Sequence, residues 1–204
     1  MTDNLVITIS RQYGTGGREI GHKLALRLGI SFLDRELITR AAKKSGFSEE
    51  LFEQLDKRAT NSFLYSLTMF GSTGLNGMSL TDQLYLAQAN VIREIAEDAP
   101  CVVVGRCADH VLAGTERLVR IFIYADMEAR IQRIREKGYY EEHEIARNIR
   151  RMDRERRDYH RYYTGKEWEN VENYDMMLNS GVLGTDGCVE CILSYLKIRG
   201  LYPA

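Results

Sequence analysis

Apolar residues gather in five short runs separated by helix-length stretches. The runs are Leu5–Ile9, Ser31–Leu33, Cys101–Val104, Val119–Tyr124 and Met176–Asn179, the second and fifth being the weakest. Runs of this length bounded by turn residues suit strands buried on both faces. Their alternation with helices predicts a three-layer α/β/α domain around a five-stranded, mainly parallel sheet. Between the first two runs, Ile20, Leu24, Ala25 and Leu28 recur at i, i+4, i+5 and i+8, an amphipathic helix that Gly29 ends. Arg35 to Lys44 reads as a second helix stopped near Gly46, and Ser48-Glu49-Glu50 as the cap and first turn of a third, through Leu55. Thr81-Asp82 opens a helix through Glu97, and Pro100 divides it from the next strand. Asp126 is the expected cap of a helix over Met127–Lys137; another runs through 141–162, and Gly187 to Ile198 forms the last. Residues 60–80 break the pattern: they are rich in Ser, Thr, Gly, Asn and Met, with Gly71, Gly74 and Gly77 three apart. They predict an irregular excursion near a substrate mouth, with plain disorder as the alternative.

Composition narrows the function classes. With 204 residues, 44% hydrophobic and 28% charged, the chain suits one domain with a sizeable core. A formal net charge of −1 supplies no global attraction to nucleic acid or acidic membranes, so any polyanion site has to be local. No basic-then-apolar leader opens the chain and no apolar run approaches the length of a bilayer span, which predicts a cytoplasmic protein. Cys101, Cys107, Cys188 and Cys191 make no disulfide framework or zinc pattern, so four reduced thiols and no protein-held metal are expected.

The first chemistry-bearing feature follows the first strand: Ser10-Arg11-Gln12-Tyr13-Gly14-Thr15-Gly16-Gly17-Arg18-Glu19-Ile20-Gly21. A buried strand that delivers a glycine-rich turn to a helix N-terminus makes a phosphate cradle. The free amides of the first helical turn point at the anion, and the helix dipole favours its charge. Against the pattern G-x-x-x-x-G-K-[ST], the first glycine is Arg11, the lysine is Gly17 and the hydroxyl residue is Arg18. An ordinary glycine-rich connection is the competing reading.

The second feature is a run of arginines. Arg147, Arg150, Arg154, Arg157 and Arg161 step by three and four, so they share one helical stripe within a run that also holds Arg151 and Arg156. Stacked guanidinium groups repel one another unless an anion lies among them, and arginine favours bidentate phosphate contacts. A solvated helix with i,i+4 ion pairs is the alternative. The third feature is Val102-Val103-Val104-Gly105-Arg106, which sets an arginine at the carboxyl edge of the sheet, where ligands of open α/β sheets bind.

Taken in order, the glycine turn, the Asp34-to-Arg40 spacing, the strand ending in Gly105-Arg106 and the helix reading Arg154-x3-Asp158-x2-Arg161 resemble the cytidylate kinase family of P-loop nucleoside monophosphate kinases. The likeness runs from Leu5 to about Leu196 and is closer to the divergent cytidylate kinase-like branch that lacks the loop lysine. It implies a single P-loop NTPase-like domain over 1–204, with 56–81 as a variable excursion near the acceptor and 138–163 as an arginine-rich helical lid. It also implies transfer of the ATP γ-phosphate to CMP or dCMP with Mg²⁺.

On that resemblance, Arg11, Gly14, Thr15, Gly16, Gly17, Arg18 and Glu19 hold the donor phosphates. Asp34, Arg35, Arg40, Arg106 and Asp109 face the acceptor, and Asp158 reads its base. Arg18, Arg106, Arg150, Arg154, Arg157 and Arg161 stabilise the charge in transit. The departures are Gly17 for the lysine, Arg35 for an acceptor-contacting serine, and Cys107 for the aspartate of the family's G-R-D. With the lysine gone, Arg11 or Arg18 is the expected substitute; Thr15 or Ser10 would replace the missing Mg²⁺ hydroxyl. The partners expected are small nucleotides, without nucleic acid or membrane. A P-loop kinase for another small acceptor and a non-catalytic nucleotide-binding regulator are the alternative functions.

Overall fold

A computed structural model describes residues 5–34 and 80–201. The expected helices over 35–44 and 48–55, almost all of the 56–81 excursion, and both Arg35 and Arg40 lie outside the described residues. In chain order the elements are β1 (Val6–Arg11), α1 (Gly17–Leu28), β2 (Ser31–Leu33), α2 (Leu80–Asp98), β3 (Cys101–Val104), α3 (Ala108–Val111), β4 (Leu118–Tyr124), α4 (Met127–Lys137), α5 (Glu142–Thr164), a 3-10 turn (Val171–Asn173), β5 (Met176–Asn179) and α6 (Ser180–Ile198).

All five expected strands form one sheet in the order β2-β3-β1-β4-β5. Every pairing is parallel: Val6 lies opposite Cys101 in β3 and Leu118 in β4, and Ile121 opposite Met176 in β5. The alternation of side chains along each strand splits the core into two layers. Leu5, Ile7, Ile9, Val102, Val104, Ile121 and Ile123 pack against Ile20 and Leu24 of α1 and Cys188, Ile192 and Leu196 of α6. On the opposite face, Val6, Cys101 and Val103 meet Ile92 and Ala96 of α2 and Ala108 and Leu112 around α3. Burial on both faces is why these strands read as unbroken apolar runs.

Local signals behave as their chemistry requires. Gly29 ends α1 in the left-handed conformation, at φ 65°, with its amide bonded to carbonyls of the last turn. Gly21 lets α1 lie close on the sheet, for a Cβ there would sit 2.9 Å from Val104 Cγ2 and 3.1 Å from Phe32 Cε2. Asp126 occupies the N-cap of α4 but makes no side-chain capping bond. The last helix begins at Ser180 rather than Gly187. Asn179 caps it by accepting the Gly181 amide at 2.9 Å, and the helix kinks at Gly184, where φ is 67° and ψ 176°. Among the described residues, no helix is long and apolar enough to cross a membrane.

Candidate active site

The glycine turn after β1 is the floor of the site. Gly14 and Gly16 adopt φ values of 84° and 76°, and Thr15 is buried with its hydroxyl donating to the Gln12 carbonyl at 2.8 Å. Gly16 caps α1 without a side-chain partner. Among the described residues, the amides of Gly14, Gly16 and Gly17 meet no acceptor. Open amides at the positive end of a helix dipole favour an anion.

The walls of the turn come from elsewhere in the chain. A Cβ at Gly14 would lie 3.1 Å from Arg130 Cβ, and one at Gly16 would lie 2.7 Å from the Arg133 guanidinium carbon. Tyr13 offers its amide to Asp153 at 2.7 Å, and the same carboxylate takes Arg130 Nη1 at 2.5 Å. Arg156 Nη1 donates to the Arg11 carbonyl at 2.8 Å, and its guanidinium lies 5.4 Å from the Tyr13 ring centre. Glu169 accepts Gln12 Nε2 at 3.0 Å and Arg157 Nη2 at 2.9 Å. Burial works to raise the Glu169 carboxyl, yet these two hydrogen bonds and the Arg157 charge hold it below the usual carboxylate range. Thus α5 is bound to the glycine turn by Asp153 and Arg156. In the sequence Asp153 had no role and Arg156 only a place in the arginine run, because each partner is about 140 residues away.

The arginine stripe divides. Arg150, Arg154 and Arg161 are exposed on α5, Arg161 with Glu167 3.6 Å away, whereas Arg157 is half-buried on Glu169. Asp158 is half-buried on the same helix. The buried stripe of α5 is Ile145, Ile149, Asp153 and His160. Its first two residues pack with Ile134 of α4, flanked by Tyr13 and Tyr140.

Glu19 faces Arg133, Lys23 and Thr185. Burial would raise its carboxyl, but the bonds from Thr185 and Lys23 and the Arg133 charge outweigh it and lower it. Arg18 reaches the end of β2, its Nε 2.7 Å and its Nη2 2.5 Å from Asp34, a carboxylate only 4% exposed. Arg11 takes another path, its stem passing Gly17 and its guanidinium lying against Gly105.

At the carboxyl end of β3, Gly105, Arg106 and Cys107 all have positive φ, at 80°, 58° and 52°. Two consecutive non-glycine residues in that region store strain at a sheet edge where ligands bind. Arg106 lies 5.8 Å from the Tyr159 ring centre on α5. Desolvation pushes the Tyr159 phenol up to about 12, against the opposing pull of the Arg106 charge. Cys107 is buried, and burial pushes its thiol up. Asp109 is also buried, 3.0 Å from His160 Nε2. Tyr85 of α2 stacks on Tyr163 of α5, with centroids 3.9 Å apart, and closes this side of the site.

The chain has counterparts of known sequence and structure. A family model described as the cytidylate kinase-like family matches residues 6–182. Over 196 residues, 95% of each chain, the protein is 26% identical to a cytidylate kinase from Archaeoglobus fulgidus. The solved structure of an uncharacterized protein from Eubacterium ventriosum superposes with a TM-score of 0.74 at 25% identity, covering 96% of this chain and 99% of that one. Shikimate kinase from Bacteroides thetaiotaomicron, at 14% identity and a TM-score of 0.50, covers 95% of this chain and 98% of its own, a likeness of fold alone. The parallel 2-3-1-4-5 sheet, the glycine turn on its central strand and the family match converge: the chain belongs to the cytidylate kinase-like family and has the fold of the P-loop kinases.

Proposed function

We propose that the protein transfers the γ-phosphoryl group of ATP to a nucleoside monophosphate, CMP or dCMP. The observation that carries the reading is a juxtaposition. The open amides at the start of α1 follow the end of central strand β1, and Arg106 follows the end of the adjacent strand β3. One anion cradle and one cation thus occupy neighbouring strand ends, with α5 fastened across the turn. An oxygen of the acceptor phosphate attacks Pγ, the bond from Pγ to the β-bridging oxygen breaks, and ADP leaves with the electron pair. The attacking phosphate is already an anion, so no general base is required.

In this reading Gly14, Thr15, Gly16 and Gly17 receive the donor phosphates, and Arg40 with Arg106 orients the acceptor. Asp158 reads the base, and Arg150, Arg154, Arg157 and Arg161 on the lid helix balance the moving charge. Ser10, Thr15 and Asp34 are hard oxygen donors of the kind Mg²⁺ prefers, and a nucleotide-borne ion that keeps most of its waters needs few of them. That ion would neutralise phosphate charge.

The test is ADP release with MgATP across CMP, dCMP, UMP, AMP and a set of small alcohols. Release with CMP or dCMP supports the proposal, and release with a non-nucleotide alone rejects it. Arg154→Ala is expected to lower turnover on the order of 10²-fold with the melting temperature unchanged, because Arg154 is exposed. Near-normal turnover removes the lid from the mechanism. One observation favours a different small acceptor: Cys107 replaces an aspartate with a buried thiol, and the nearby Asp109 is engaged by His160. The alcohol arm of the panel decides that question. MgATP binding without phosphorylation of any acceptor would mark a regulatory nucleotide-binding protein.

A further inference from the structure

We infer that Arg11 is the cation of the phosphate loop, moved from the first residue of the helix to the last residue of the strand. The inference rests on the phosphotransfer reading above and names the group that serves it. In the pattern G-x-x-x-x-G-K-[ST] a small residue ends the strand and a lysine opens the helix. This chain has the two exchanged, Arg11 for the glycine and Gly17 for the lysine.

The structure makes the exchange one event rather than two. A Cβ at position 17 would stand 2.7 Å from Arg11 Cβ and 2.8 Å from its Cγ, so a side chain on the helix and the arginine stem compete for one space. The stem continues past Gly17 to the end of β3. There a Cβ on Gly105 would run into Nη1 of Arg11, with the guanidinium carbon 3.1 Å away. Gly105 therefore leaves room for the guanidinium as well as adopting φ 80°. The stem thus lies beside Gly17 at the start of α1, and the guanidinium lies against Gly105, the residue before Arg106.

Arg11 is fixed at the backbone, where Arg156 donates to its carbonyl and the Gln12 amide bonds to Ile123 at 3.0 Å. From a strand end the cation has farther to reach than from the helix, and arginine is longer than lysine and offers a forked set of donors to phosphate oxygens.

The experiment is a mutant cycle read by MgADP and MgATP titration calorimetry, with thermal unfolding alongside. Arg11→Met keeps an apolar stem over Gly17 and drops the charge; it is expected to weaken MgADP about tenfold or more, the effect of losing a charged hydrogen bond. Gly17→Lys alone is expected to weaken binding and lower the melting temperature, because its Cβ meets the Arg11 stem. The double variant R11G/G17K restores the usual order and is expected to bind within about threefold of wild type. Wild-type affinity in R11M, or a double variant no better than the sum of the singles, overturns the inference. Should R11M melt early, the double variant carries the test, since its recovery supports the exchange and its failure rejects it. Wild-type protein that binds neither nucleotide overturns the phosphotransfer reading as well, whereas wild-type binding with R11M unaffected overturns the role of Arg11 alone.

Discussion

Asp153 is a buried carboxylate that meets a backbone amide on one oxygen and a guanidinium on the other. Its partner Arg130 is equally buried; its Nη1 also donates to the Tyr13 carbonyl at 3.4 Å, and among the described residues its Nε has no acceptor. Asp153→Ala would leave a charged arginine in the interior and free the Tyr13 amide. The expected loss is about 3 kcal/mol, checked by urea unfolding. A loss below about 1 kcal/mol would mean that solvent reaches Arg130. Several residues of this kind lay beyond the reach of the sequence. The glycine turn and Gly105-Arg106 were visible because a strand end fixes where they must lie. Asp153, Arg156, Arg130 and Arg133 were not, since each meets the turn through a contact that only packing of α4 and α5 creates. The stripe of exposed arginines on α5 drew attention to charge spacing, while the contact with the turn came from Arg156 on a neighbouring line of the helix.

Strands β4 and β5 are joined at their entry by a small polar knot. Asp175 takes the Arg120 amide at 2.8 Å and its guanidinium at 3.0 and 3.2 Å, and the Asp175 amide donates to the Arg120 carbonyl at 2.8 Å. Burial would raise the Asp175 carboxyl; the bonds from the Arg120 side chain and backbone outweigh it and hold it below its ordinary 3.8. The unfolded chain therefore binds this proton more readily than the folded one. The contribution is present above the ordinary value and is lost as pH falls through the lower folded value. Asp175→Asn is expected to melt below wild type at pH 7, with the gap closing as pH drops under about 4. A gap that stays constant down to pH 3 would contradict the assignment. Two helical elements escaped the periodicity reading for reasons specific to them. Gly181, Gly184 and Gly187 dilute the apolar pattern at the start of α6, so its first turn was hidden behind a kink. The four-residue α3 follows Arg106 and Cys107 in left-handed geometry, which these residue types do not announce.

The two core layers meet at the sheet, and Cys101, Cys107 and Cys188 lie within them or at their margin. Burial pushes the thiols of Cys101 and Cys188 up to about 11, so the nucleophilic thiolate is scarce at neutral pH. Cys191 is half-buried. Labelling of the native protein with a thiol reagent at pH 7 is expected to modify Cys191 first. The other three should react only at the rate of global unfolding, as read by mass spectrometry. Fast labelling of Cys101 or Cys188 would show that the sheet opens locally. The five apolar runs gave this architecture away because a sheet covered on both faces leaves little room for polar positions.

The placement of β1 at the centre of that sheet bears on how the chain is made. It leaves the ribosome well before its earliest neighbour in the sheet, β3, which begins only at Cys101. At roughly 5–20 residues per second, a strand with both edges unpaired waits several seconds for a mate. During biosynthesis that interval leaves the backbone groups of β1 without their sheet partners, and a nascent chain stalled before β3 would be a natural client for holding chaperones.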